Sequence, residues 1–112
     1  GDSIKWLLDN MLRMNLTMTL DDNETQNGEY YGITDDEYNL YKQNLKNIVE
    51  KYTSSSGNII NNLSDNEIFQ VQQYVLWNYT NNHSNVKYPN WINDSSNPKK
   101  ILYNANVRIC SH

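Results

Sequence analysis

Cysteine is almost missing from this 112-residue chain: Cys110 stands alone, so no internal disulfide can form. That excludes the disulfide-stapled secreted scaffolds, although many bacterial surface proteins avoid cysteine altogether. Glycine occurs only four times, and no phosphate-cradling loop, nucleophile elbow or redox cysteine pair is present. An ordinary hydrolase is therefore not indicated, and the chain does not read as an enzyme. Basic residues are few as well. The net charge is −4 with a pI near 4.9, and no Lys/Arg cluster exists beyond Lys99-Lys100. A nucleic-acid footprint needs a basic face, so that class is excluded. Apolar runs such as Trp6–Leu8 fall far short of the ~18 residues of a membrane span. Gly1-Asp2-Ser3 carries neither the basic region nor the apolar core of a signal peptide.

What is abundant is asparagine, about one residue in six, together with nine tyrosines. Asn suits caps, turns and hydrated surfaces, and Tyr supplies amphipathic contact area. Asn-x-Ser/Thr sequons begin at Asn15, Asn23, Asn62, Asn78, Asn82 and Asn93. With this much Asn, Ser and Thr they read as chance rather than as glycosylation sites.

The length fits one domain with one modest core over residues 1–112. Four helices are readable, which predicts a compact, mostly α-helical domain. The first spans about Ser3 to Met14, with Ile4, Leu7, Leu8, Met11 and Leu12 on one face. A chain that opens on a core helix reads as an excised part of a larger surface protein. In the second helix Thr34 and Glu37 form a capping box, and Asp35 and Asp36 favour the N-terminal dipole. Tyr38, Tyr41, Leu45, Ile48, Val49 and Tyr52 follow helical spacing until the Thr53–Gly57 run ends it. The third helix opens on a second capping box, Ser64 with Glu67, and reaches about Thr80. The fourth has Asn97 as cap and Pro98 at its first position, then Ile101, Leu102 and Ala105. Between the first two, Leu16, Met18 and Leu20 alternate with threonine. With the Asn27-Gly28 turn signal, this allows one small β-hairpin over Leu16–Tyr31.

Metal and cofactor signals are weak. A calcium loop beginning at Asn23 would put Gly28 at its sixth place but Thr34 where a bidentate Glu belongs. His83 and His112 lack the spacing of a metal pair. No metal and no cofactor are expected. In the polar loop Asn81–Ser96, Tyr88 and Trp91 offer a stacking surface for a sugar or a protein. The competing reading has these rings folded back over the helices.

The third helix holds the most informative residues. Ile68, Val71, Val75 and Tyr79 form one apolar stripe, widened by Phe69 and Leu76. Gln72 falls inside that stripe and Gln73 on its flank, between Phe69 and Trp77. An amide facing apolar neighbours must find hydrogen-bond partners or cost roughly 1–3 kcal/mol. Each is therefore either a satisfied core amide or an amide placed for chemistry or recognition.

Gln72-Gln73-Tyr74-Val75-Leu76-Trp77 resembles the Thr-Gln-x-Ala-Ile-Trp signature of the thioester domains of Gram-positive surface adhesins. Gln73 keeps its place four residues before Trp77, Leu76 replaces Ile, Val75 replaces Ala, and Gln72 stands where the family has Thr. The acidic start Leu63–Glu67, the Tyr79-Thr80 end, the later Lys100–Ala105 segment and the opening Ile4–Met11 helix also resemble that family. The resemblance implies a cell-surface adhesin, attached to a Gram-positive cell wall, that acylates a nucleophile on a host-surface protein or glycan. Gln73 is the implied acyl donor, Phe69 and Trp77 its apolar shield, and Gln72 an orienting amide. The family's cysteine precedes its glutamine, whereas here Cys110 follows Gln73. A non-covalent binding or spacer module acting through Tyr88 and Trp91 is the alternative.

Overall fold

The computed structural model describes residues 34–80 and 87–111, and this part is mostly helical. Three α-helices, α1 (Asp35–Tyr52), α2 (Asp65–Thr80) and α3 (Pro98–Ser111), are joined through two short 3-10 turns at Gly57–Asn62 and Asn90–Asn93. No strand occurs among the described residues. These helices are the second, third and fourth read from the sequence. The first helix, the Leu16–Tyr31 hairpin, the calcium-like stretch, His83 and His112 lie outside the described residues.

Local sequence fixes where each helix starts. At α1 the Thr34 hydroxyl accepts from the Glu37 amide (3.2 Å), and the Glu37 carboxylate accepts from the Thr34 amide (3.0 Å). Ser64 and Glu67 repeat the arrangement at α2, at 2.9 and 3.1 Å. Each box satisfies two amides that the first turn leaves without helical partners. At α3 the Asn97 side chain accepts from the Lys99 amide (2.9 Å), and Pro98 takes the position that needs no donor.

Helix α1 ends where Thr53 turns extended, with both its amide (3.0 Å) and its hydroxyl (2.6 Å) donating to Val49 O. The chain then folds back on α1 through Gly57, whose amide donates to the Glu50 carboxylate (3.1 Å). A Cβ at Gly57 would stand 2.6 Å from Lys46 O, so only glycine permits this approach. The turn delivers Ile60 and Leu63 to the core, both buried.

The core draws Tyr41, Leu45, Ile48 and Val49 from α1, Ile68, Val71 and Val75 from α2, and Leu102 and Ala105 from α3. Helix α3 packs against both α1 and α2 and touches both turns, so it joins the described elements together. Helix α2 is the most enclosed: Ile68 through Gln72 are buried without interruption, and no residue from Asp65 to Tyr79 is exposed. An amphipathic stripe predicts one wet face, but every side of this helix is at least partly covered, the side carrying Gln73, Leu76 and Trp77 least. Polar side chains fasten the helix ends. Tyr38 Oη donates to Asp65 (2.7 Å), Tyr79 Oη donates to Val107 O (3.2 Å), and Arg108 Nη1 donates to Tyr52 O (2.9 Å). Among the described residues, no helix is long and apolar enough to cross a membrane.

Candidate functional site

The two adjacent glutamines of α2 have different environments. Gln72 is 1% exposed, and its Nε2 donates to the Tyr41 hydroxyl of α1. It is a core amide satisfied by a side chain of another helix. Gln73, one residue on and 100° around the helix, is half-buried, and its amide has no hydrogen-bond partner among the described residues. Phe69 precedes it by four residues and Trp77 follows by four, which places the three side chains in one row on the helix. Phe69 is buried and Trp77 half-buried. The helix therefore presents an unengaged primary amide, partly open to solvent, between two aromatic residues.

Behind that row lies a connected set of rings. Trp77 meets Tyr74 edge-on at 5.2 Å between centroids, Tyr74 meets Trp91 at 5.9 Å, and Trp91 meets Tyr103 at 6.2 Å. Tyr88 lies over Tyr74 at 5.7 Å. Such edge and offset contacts add roughly 0.5–1.5 kcal/mol each beyond the area they bury. Trp91 is only 7% exposed and belongs to the core, delivered there by the 3-10 turn that Pro89 opens. The folded-back reading of the loop thus describes Trp91. Its ring is not a surface platform, and Tyr88 is itself partly covered. Burial pushes the Tyr103 phenol up to about 12, with the Tyr88 and Tyr79 hydroxyls adding to the shift.

An ion pair lies beside this aromatic set. Glu67 caps α2 with one carboxylate oxygen, and its other lies 3.6 Å from Lys99 Nζ, which also sits 5.9 Å over the Trp91 ring. One carboxylate thereby ties the start of α2 to the start of α3. Lys99 is 8% exposed. Among the described residues, no group of three His, Cys, Asp or Glu side chains is placed to hold a metal ion. Cys110 falls in the last turn of α3, and its side chain lies outside the described residues.

Sequence periodicity did not single out three buried polar positions. Gln70 is 1% exposed although it lies opposite the apolar stripe, so only its tertiary cover reveals it. Asn106 is fully buried, and its Nδ2 donates to Leu102 O (2.9 Å) one turn back. The third is Lys99, whose place beside Pro98 reads as an ordinary helix start. No family model, curated protein or solved structure matches this chain.

Proposed function

We propose that this chain is the helical part of a Gram-positive cell-surface attachment protein of the thioester-adhesin type, with Gln73 as the acyl donor. The observation that carries this reading is the unengaged, half-buried Gln73 amide between Phe69 and Trp77, on a helix whose neighbouring glutamine is committed to Tyr41. The Gln73 amide is partly open to solvent, so water can satisfy it without the cost that a fully buried, unpartnered amide would incur. Here one amide holds the helix in place while the other stays available.

The chemistry is a single acylation, not turnover. A cysteine thiolate attacks the Gln73 side-chain carbonyl, the C–N bond breaks, and the nitrogen leaves as ammonia, giving a thioester. An amine on a host-surface protein or glycan then attacks the same carbon. It expels the thiolate, which takes up a proton, and leaves a stable amide. Phe69 and Trp77 would slow hydrolysis by keeping water from the acyl carbon. The resemblance places the thiol before the glutamine, and no cysteine precedes Gln73 in these 112 residues. The reading therefore draws the thiol from sequence upstream of them. Binding through a Tyr88–Trp91 platform receives no support, because Trp91 is buried.

Intact mass of the full-length protein, prepared without amine nucleophiles, tests the proposal. A mass about 17 Da below the encoded value, restored by Gln73→Ala, is expected from the loss of ammonia. An unmodified mass in the unsubstituted protein overturns it.

A further inference from the structure

On the side of α3 formed by Ile101, Asn104 and Arg108, a cleft of about 360 Å³ opens against two loops. Spacings of three and four place these residues along one helix face. The far wall is Thr53, Ser54 and Ser55, the segment leaving α1, with Ser95 from the turn before α3. We propose that this cleft binds a small hydroxylated carboxylate. The inference rests on the cleft's own residues and is independent of the thioester reading.

Charge decides the ligand's sign. Arg108 is the one charged residue in the lining, and no carboxylate shares it. The neighbouring Asp94 is held by the Ser96 amide (3.1 Å) and hydroxyl (2.7 Å), and these bonds keep its carboxyl below the usual range. Arg108 Nη1 donates to Tyr52 O at the end of α1, which fixes the guanidinium in position. A helix C-terminus carries about half a negative charge, so the guanidinium leaves the lining itself positive, while the ionised Asp94 carboxylate stands outside the lining and is engaged by Ser96. Five N–H groups leave Arg108 enough donors to grip a carboxylate in fork geometry after one is used on Tyr52.

The neutral lining decides the rest. The Thr53 hydroxyl is already committed to Val49 O and to the Ser55 amide. The side chains of Ser54, Ser55, Ser95 and Asn104 have no hydrogen-bond partner among the described residues. Three hydroxyls and an amide beside a single cation match a ligand that carries hydroxyls next to its carboxylate. No aromatic ring lines the cleft, so a neutral sugar held by stacking finds no platform. A phosphate dianion would face one cation only. The volume falls at the small end of ligand clefts, which run from roughly 300 to 1,000 Å³.

The test uses NMR of the isotope-labelled chain, titrated with glucuronate and, in parallel, with glucose and inorganic phosphate. Glucuronate should move the Asn104 side-chain amide and Arg108 Nε signals saturably, while glucose at equal concentration should not. Arg108→Gln should weaken glucuronate about tenfold or more, and Arg108→Lys should recover only part of that, because a lysine lacks the fork. Asn104→Ala leaves the Arg108–Tyr52 contact intact and should weaken binding several-fold, so it decides the matter if Arg108→Gln fails to fold. Equal responses to glucose and glucuronate, tighter binding of phosphate, no saturable response, or unchanged affinity in folded Arg108→Gln or in Asn104→Ala would each overturn the assignment.

Discussion

Replacing Tyr41 by Phe should destabilise the protein by more than its one lost oxygen suggests, and the loss should shrink when Gln72 is replaced as well. The Tyr41 hydroxyl accepts from Gln72 Nε2 between α1 and α2, with Tyr41 at 8% and Gln72 at 1% exposure. A hydrogen bond exchanged for water nets about 0.5–1.5 kcal/mol, but a buried donor deprived of its acceptor costs about 1–3 kcal/mol. Tyr41→Phe should therefore cost about 1–3 kcal/mol, and Gln72→Met, which keeps side-chain length and removes the amide, about 1–2 kcal/mol. Once either partner is gone the other has less left to lose. The double variant should then fall short of the sum by about 1 kcal/mol, within the 0.5–3 kcal/mol range seen for contacting residues. Gln73→Met is the internal control, expected within ~0.5 kcal/mol of the parent because its amide is half-buried and unengaged. Urea unfolding of the four-member cycle, followed by circular dichroism, measures each term. Additivity within about 0.3–0.5 kcal/mol would refute the pairing. A Gln73→Met cost as large as that of Gln72→Met would refute the division of roles between the two glutamines.

Two further outcomes follow from the packing. Gly57→Ala should destabilise by roughly 1–3 kcal/mol in the same urea assay, because the added methyl meets Lys46 O at 2.6 Å; a neutral or stabilising effect would mean the turn does not close on α1. The Tyr103 phenol is raised to about 12 from an ordinary 10.0, so at high pH the folded chain holds a proton that the unfolded chain releases. Its contribution to stability is complete below pH 10 and is lost as pH rises through 12. Tyrosinate absorbance should show a late-titrating component that Tyr103→Phe removes, and an unchanged titration curve would contradict the burial of that ring.

Much of this architecture could be read from sequence because its signals are local. Thr34 with Glu37, Ser64 with Glu67, and Asn97 with Pro98 announce helix starts through contacts within four residues, and all three caps form. The two 3-10 turns are less legible: Gly57–Asn62 has a local Ser56 cap on the Asn58 amide (3.1 Å), but its return onto α1 depends on Glu50 and on the fit of Gly57 against Lys46. Gln70 and Lys99 are buried by elements distant in sequence, so periodicity gave no sign of either. For the candidate site, spacing placed Gln72 inside the apolar stripe and Gln73 on its flank, and their burial follows that order. The Tyr41 partner of Gln72 lies 31 residues away and could not be read locally. For Trp91 the sequence left two readings, a stacking surface and a ring folded back over the helices, and its burial selects the second.

The role proposed for the Gln73 amide is that of an acyl donor. It is tested most directly by treating the full-length protein with methylamine and mapping the peptide that contains residues 72–77. Methylamine should be captured at the Gln73 side-chain carbon, raising that peptide by about 14 Da over its encoded mass and freeing one thiol. Gln72 should stay unmodified, and Gln73→Ala should abolish the capture. A peptide at its encoded mass, with Gln73 still a primary amide and no thiol released, would contradict it.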